Sequence, residues 1–147
     1  MFSVELDELD YKILESLRRN SRTPFMKIEK DLGVSDATVH IRVNRMLDEG
    51  VIEGFTLDVN EEALGRRVRG FMFVNVQPGS LKEVANQLVE NKRVRMVYEI
   101  YGPNDLVVKV EAKDLDEMRD LMLKIREIPN VATSELTTIF NVWKKLT

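Results

Sequence analysis

The sequence contains no cysteine and a single histidine, so several classes of functional site are excluded at the outset. Without cysteine there are no disulfides and no thiolate metal ligands, and a cytoplasmic location is the default expectation. His40 has no serine or cysteine nucleophile set beside it in the sequence, and no glycine-rich phosphate loop is present. Two carboxylate clusters, Glu61 with Glu62 and Asp114 with Asp116 and Glu117, are explained by a linker and a helix N-terminus. We therefore predict no enzyme, no cofactor and no metal site.

Long apolar runs are also absent. No stretch approaches the roughly 20 apolar residues that a membrane span needs, and the first five residues do not resemble a signal peptide. The chain has 147 residues, of which 44% are hydrophobic and 32% are charged. That composition predicts one or two small soluble domains with their own cores and no membrane partner.

The net charge of −3 gives no general attraction to nucleic acid, but its distribution is uneven. Between Arg18 and Arg45 there are seven lysines or arginines and three acidic residues, a local charge of +4. Contact with phosphates requires such a local basic surface rather than a basic chain. The overall acidity therefore does not exclude a DNA partner.

The stretch from Gly33 to Ile52 predicts a well-bracketed helix. Ser35 is a candidate N-cap, and Gly50 stands where a left-handed residue would end a helix spanning 36–49. Its apolar residues recur at helical spacing on one face, which comprises Val39, Val43, Met46 and Leu47. The opposite face is short, mixed and able to form hydrogen bonds.

A second helix precedes this one and is joined to it by a tight turn. Thr23 is a candidate N-cap with Pro24 at the first helical position, and the link 33–35 is short. A first helix capped by Asp7 runs to about Arg19. Three helices with this turn indicate a helix-turn-helix domain, although two antiparallel core helices with an ordinary solvated face remain the alternative.

The mixed face predicts contacts with double-stranded DNA. Arginine suits guanine, asparagine suits adenine, and an apolar group suits the thymine methyl. The predicted phosphate contacts are Arg22, Lys27 and Arg42; the predicted base contacts are Thr38, Ile41, Asn44 and Arg45; Ser35 completes the DNA-binding set.

After Gly50 the apolar pattern changes to alternation, so 51–59 is predicted as a strand that leads away from the helices. The segment 60–67 is polar and charged, as in a hinge. We predict a helix-turn-helix domain at 1–52, a strand and hinge linker at 53–67, and a second domain at 68–147.

The second domain follows the order strand, helix, strand, strand, helix, strand. The predicted strands are Val68–Val76, Val94–Tyr101, Leu106–Ala112 and Thr133–Trp143. Ser80 with Glu83 and Asp114 with Glu117 are predicted to cap the two helices. This order predicts a ferredoxin-like βαββαβ fold with both helices on one face, and thus an α+β protein overall.

The other face of the sheet also carries apolar residues, notably Phe71, Phe73, Met96 and Tyr98. A bare apolar face predicts a homodimer packed sheet to sheet, and a monomer with a few exposed aromatics is the alternative. The segment 69–74 resembles the aromatic signature of an RNA-recognition motif. That signature belongs on the third strand, however, and the third strand here has no aromatic residue, so RNA binding is disfavoured.

Several runs of residues together resemble the Lrp/AsnC (feast/famine) family of transcription regulators over nearly the whole chain. They are Leu6 to Leu14, Asn20 to Thr23, Leu32 to Ser35, Gly50 to Phe55, and Tyr101 to Leu106. The resemblance implies dimers that bind pseudo-palindromic DNA and assemble into tetramers, octamers or larger discs. The alternative is a stand-alone sensing oligomer that does not bind DNA.

The resemblance also implies a small effector, often an amino acid, near the loop between the second and third strands. Carried over to this chain, its contacts are Gly102, Pro103, Asn104, Asp105, Thr133, Ser134 and Glu135. Leu136 stands where many members have threonine, and Asn104 replaces a common aromatic, so the effector's identity is open. Taken alone, Gly-Pro-Asn-Asp is equally what an ordinary tight turn contains.

Overall fold

The computed structural model describes residues 4–143, which form two compact units that divide between Asp58 and Val59. The predicted domain ends at 1–3 and 144–147 lie outside the described residues. The helices are α1 (Glu8–Arg19), α2 (Phe25–Leu32), α3 (Asp36–Asp48), α4 (Leu81–Val89) and α5 (Leu115–Arg126). The strands are β1 (Val68–Val76), β2 (Val94–Glu99), β3 (Leu106–Ala112) and β4 (Val131–Thr138).

The first unit is a three-helix core, and its first helix begins as predicted. The Asp7 carboxylate accepts from the Asp10 amide at 2.9 Å, and Asp10 accepts from the Asp7 amide at 3.0 Å, a reciprocal capping box. The buried core consists of Ile13, Leu17, Ile28, Val39, Val43 and Met46. Leu47, predicted to face inward, is 37% exposed because it lies at the edge of the stripe that the α3 core residues form.

The turn between α2 and α3 is closed by backbone geometry. Gly33 has φ +68°, and the Val34 amide donates to the Glu29 carbonyl at 3.1 Å. The predicted cap at the start of α2 is wrong. Pro24 occupies the N-cap position, and the Thr23 hydroxyl donates instead to the Asn20 carbonyl at 2.7 Å.

The predicted strand at 51–59 is also wrong. The segment has no strand hydrogen bonding, and no other segment between residues 4 and 143 pairs with it. Alternation of apolar residues gives a chain two faces, but a strand also needs a neighbour for its amides and carbonyls. The alternating pattern therefore did not produce a strand here, because no partner strand is present among the described residues.

The second unit is the predicted ferredoxin-like sheet. Its strand order is β2-β3-β1-β4 with every pair antiparallel, and α4 and α5 pack on one face. β1 and β3 have the predicted bounds, whereas β2 ends at Glu99 and β4 spans Val131–Thr138 rather than Thr133–Trp143. The ladder between β1 and β4 runs as far as Gly70 opposite Thr138, and one further hydrogen bond follows it, from the Ile139 amide to the Arg69 carbonyl at 2.8 Å.

Of the two helix caps predicted for this unit, one is formed as expected and the other is not. Asp114 accepts from the Glu117 amide at 2.9 Å, as expected. Ser80 occupies the N-cap position of α4, but the predicted capping box with Glu83 is wrong. Ser80 has φ −102° and ψ 4° rather than the extended backbone of a side-chain cap, and its hydroxyl makes no cap bond. Glu83 accepts instead from the Asn130 side-chain amide at 3.3 Å.

The face of the sheet opposite the helices carries the predicted apolar residues. Phe71, Met96 and Tyr98 are 37%, 43% and 50% exposed. Register brings them into cross-strand rows, with Phe73 beside Val107, which in turn lies beside Tyr98. In this chain the sheet therefore has one covered face and one face with apolar side chains in solvent.

Candidate nucleic-acid interface and effector loop

The outer surface of α3 exposes small, polar and apolar groups while Val39, Val43 and Met46 fill the core behind it. Ile41 is 65% exposed and Asn44 is exposed beside it. At the start of the helix, Ser35 accepts from the Thr38 amide at 3.3 Å, and the two hydroxyls lie 2.8 Å apart. The N-cap that fixes the beginning of α3 thus also orients the Thr38 hydroxyl.

The first two predicted phosphate contacts lie outside α3. Lys27 is exposed on α2, and Arg22 is exposed in the turn before it, where its amide donates to the Asn20 side chain at 3.0 Å. The rings of Phe25 and His40 meet edge to face with centroids 4.6 Å apart. That contact joins α2 to α3, so the position of Lys27 is tied to the recognition surface.

Arg42 and Arg45 are placed differently from the sequence prediction, because both guanidinium groups turn back to α1. Arg42 lies 2.5 Å from Asp7 and 3.2 Å from Asp10, and Arg45 lies 2.5 Å from Asp10. Asp10 is fully buried, while the two arginine side chains are 27% and 36% exposed. We call these four residues the α1–α3 ion-pair network.

The α1–α3 ion-pair network couples the cap of one helix to the middle of another. The Asp10 amide and the Arg42 guanidinium lower the pKa of Asp7, and the carboxylates of Asp7 and then Asp10 raise the pKa of Arg42. Asp10 was not identified from the sequence as a functional residue. Its Asp-x-x-Asp spacing with Asp7 was the available signal, because a capping-box acid facing a helix bundle keeps spare acceptor sites for cations.

In the second unit, the loop between β2 and β3 is anchored at its end by Asp105. The Asp105 carboxylate accepts from the Val76 amide at 2.9 Å, and its own amide donates to the Asn75 side chain at 3.2 Å. Asn75 in turn donates to the Thr133 hydroxyl at 3.1 Å. Asn75, which sequence reasoning missed, therefore links two of the predicted effector contacts. Its signal was an amide side chain within the run Phe71–Val76, whose other residues are apolar.

The other predicted effector contacts do not all share one surface. Glu135 lies on the face of β4 that also carries Thr133, whereas Ser134 points to the helix side, where Arg126 donates to its hydroxyl at 3.3 Å. This separation follows from the alternation of side chains along a strand. In the loop itself, Gly102 and Pro103 are exposed while Asn104 is partly buried.

The described residues contain neither a metal cluster nor a membrane-spanning helix. Between residues 4 and 143 no group of three or more histidine or acidic side chains is arranged to hold a metal ion. Over the same residues, no helix is long and apolar enough to cross a membrane.

Known proteins resemble both units. Residues 6–47 match the model of the AsnC-type helix-turn-helix domain, and residues 69–147 match that of the Lrp/AsnC ligand binding domain. The HTH-type transcriptional regulator FL11 of Pyrococcus furiosus is 34% identical over 97% of this chain and 94% of its own. The HTH-type transcriptional regulator LysM of Sulfurisphaera tokodaii is 31% identical over 95% of this chain and 98% of its own.

Among solved structures, E. coli AsnC superimposes with a TM-score of 0.91 at 27% identity, covering 98% of each chain. The same two-part architecture, a helix-turn-helix unit followed by a ligand-binding unit, thus extends along the whole of both chains. This chain belongs to the Lrp/AsnC family of transcriptional regulators, and it is a DNA-binding regulator rather than an enzyme.

Proposed function

We propose that this regulator, in the cytoplasm, binds pseudo-palindromic promoter DNA sequence-specifically as a dimer and responds to a small effector, such as an amino acid. The observation that carries the proposal is the division of α3 into a core-facing stripe and an exposed surface bearing Ile41 and Asn44. The exposed cations Arg22 and Lys27 stand on the elements just before it. A helix of this kind suits a major groove flanked by phosphates.

The chemistry of base reading is assigned mainly to the exposed surface. The Asn44 amide can pair with adenine, Ile41 can contact a thymine methyl, and Thr38 can bond to either base type. Arg42 and Arg45 remain in the proposed DNA-binding set, but each must share its guanidinium with the α1–α3 ion-pair network. A guanidinium has five N–H donors, so one contact with a carboxylate does not use them all.

The dimer is proposed to form through the open face of the sheet. Phe71, Phe73, Met96 and Tyr98 give that face apolar side chains on two strands, and burial of such a patch favours association. Two copies would present two α3 helices to major grooves about one helical turn (~10 bp) apart, or a multiple of it. Further assembly of dimers into tetramers or octamers is part of the same proposal.

The effector is proposed to bind at the 102–105 loop. Tyr101 is 99% exposed and the loop is open in a single chain, so a second dimer would have to complete the site. One Asp105 oxygen is held by the Val76 amide, which fixes the carboxylate and leaves Oδ1 to receive an ammonium group. Binding between dimers would couple the effector to assembly and through it to DNA affinity.

The proposed DNA binding is tested in two steps. Bound genomic fragments are selected first, and the affinity for labelled duplexes is then measured by fluorescence anisotropy at several salt concentrations. Asn44→Ala should cost about 1–3 kcal/mol on the selected site and relax its sequence preference. Lys27→Ala should weaken all sequences alike and reduce the salt slope by about one. Lys124→Ala, which removes an exposed cation from α5, is the matched control. If the purified protein shows no salt-dependent shift with any duplex, the rival function, a sensing oligomer without DNA binding, is the correct one.

The effector arm is tested by thermal melting and light scattering with the twenty amino acids. A ligand at 100 times its dissociation constant should stabilise the folded state by about 2.7 kcal/mol. Asp105→Ala should abolish that shift. A stabilising amino acid whose effect survives unchanged in Asp105→Ala would place the pocket away from the 102–105 loop.

A further inference from the structure

A recess of about 350 Å³ lies at the edge of the sheet, where β2 begins and β3 ends. Its cations come from the turn before β1, from the α4–β2 connection and from the neighbouring strand ends; they are Arg66, Lys92, Arg93, Arg95 and Lys113. Two carboxylates, Glu111 and Glu117, also line it. We call it the basic recess. Arg66 also pairs with Glu61 at 2.7 Å, and Lys113 lies 3.6 Å from Asp114. Five cations against these four carboxylates leave a charge of +1.

Glu111 is the unusual member of the basic recess. Its side chain is 3% exposed, and its Oε2 has no hydrogen-bond partner among the described residues. The nearest cationic nitrogens are Arg95 Nε at 3.4 Å and Arg66 at 3.6 Å, close enough for charge attraction but too distant or misaligned to bond. A buried acceptor without a donor is costly, so a further donor at this position would be stabilising.

The second carboxylate is already satisfied. Glu117 accepts from the Lys113 amide at 2.6 Å and is paired with the Arg93 guanidinium. Arg93 thus pairs with Glu117 and Arg95 lies near Glu111. Lys92 adds a further positive charge to the lining of the recess. The recess therefore combines excess positive charge with one unmet acceptor.

We propose that the basic recess binds a small polyanion that also carries a hydrogen-bond donor, with a hydroxylated phosphate monoester as the chemical class. The anion would be held by Lys92 and its neighbouring arginines, and a hydroxyl of the ligand would donate to Glu111 Oε2. A volume of about 350 Å³ is at the lower end for small-molecule pockets and suits a metabolite rather than a duplex.

The basic recess is separate from the residues proposed to contact DNA and the amino-acid effector. The 102–105 loop joins the other ends of β2 and β3, so about six residues of strand, roughly 20 Å, lie between them. None of the residues proposed above to contact DNA or the amino-acid effector lines the recess. The inference therefore adds a second ligand to the regulator and can fail without affecting the first.

The test is calorimetric titration of the full-length protein with glycerol 3-phosphate at constant ionic strength, with chloride as the balancing anion. We expect saturable binding that Lys92→Ala weakens about tenfold or more, as for the loss of a charge-assisted bond. Lys92 is exposed and is not within ion-pair distance of Glu111, so this variant leaves the buried acid its arginines. Lys124→Ala, outside the recess, should bind as the parent does.

Propyl phosphate, which has the same phosphate but no hydroxyl, tests the part played by Glu111. It should bind the parent several-fold more weakly than glycerol 3-phosphate. Equal affinity for the two esters would overturn the role assigned to Glu111. The absence of saturable binding, or equal affinity in Lys92→Ala and Lys124→Ala, would overturn the site itself.

Discussion

Replacement of Asp10 by asparagine isolates the electrostatic part of the α1–α3 ion-pair network. Asparagine has nearly the same shape, its carbonyl can still accept from the Asp7 amide, and the backbone amide of residue 10 still donates to Asp7, so the capping box can keep both of its bonds. What is lost is the charge that faces Arg42 and Arg45 at 3.2 and 2.5 Å. Asp10 is fully buried and its carboxylate contacts both arginines, so it is the central group of the network.

The expected cost of Asp10→Asn follows from burial. Breaking a fully buried ion pair costs about 3–5 kcal/mol, because the remaining charge stays desolvated. Here the remaining charges are arginines whose side chains are 27% and 36% exposed, so water can replace part of the lost partner. We therefore expect a loss of about 2–3 kcal/mol in the stability of the helical unit.

Hydrogen exchange measured by mass spectrometry reports this loss locally. Peptides from α1 and α3 should lose protection by roughly 30- to 150-fold in Asp10→Asn, whereas peptides from the sheet should not change. Glu8→Gln is the matched control, because Glu8 forms an exposed pair with Lys12 at 2.6 Å and the loss of an exposed pair should leave the exchange of α1 and α3 nearly unchanged. Were Asp10→Asn no more damaging than Glu8→Gln, the network could not be what holds α1 to α3.

Three further predictions concern the sheet, the dimer and the response to acid. Gly70→Ala should lower the free energy of unfolding in urea by about 1–3 kcal/mol, because a Cβ there would lie 2.7 Å from a backbone oxygen of β4; Gly54→Ala, with open space around it, should be near neutral. Phe73→Asp should reduce the sedimenting mass of the full chain by placing an unpaired carboxylate in the proposed interface, and an unchanged mass would contradict sheet-to-sheet packing. The pKa of Asp7 is lowered from its ordinary 3.8 by the Asp10 amide and Arg42, so its stabilising contribution is present above that value and is lost as the pH falls below it. Stability should consequently decline less steeply below about pH 4 in Asp7→Asn than in the parent, and parallel curves would refute the linkage.

Local signals in the sequence were sufficient for much of the fold. β1 and β3 have the predicted ends, and Asp7, Ser35 and Asp114 cap the helices as expected. Each of these features depends on residues that are close together in the sequence, so the local sequence pattern alone determines them. Thr23 does not cap α2, because Pro24 occupies the N-cap position. Ser80 is at the N-cap of α4, but its backbone is not extended and its hydroxyl makes no cap bond.

The sequence by itself determined which residues lie on which face of each helix and strand, because side-chain direction follows the period of the backbone. Tertiary structure alone decided what the long side chains contact. Arg45 lies on the outer side of α3 by periodicity, but its guanidinium returns to Asp10, which is 35 positions away along the chain. Glu111 lies on the open face of β3 by alternation, yet Arg66 and Arg95 help to bury its carboxylate. Both outcomes depend on flexible charged groups finding partners across the fold, and no spacing in the sequence encodes those distances.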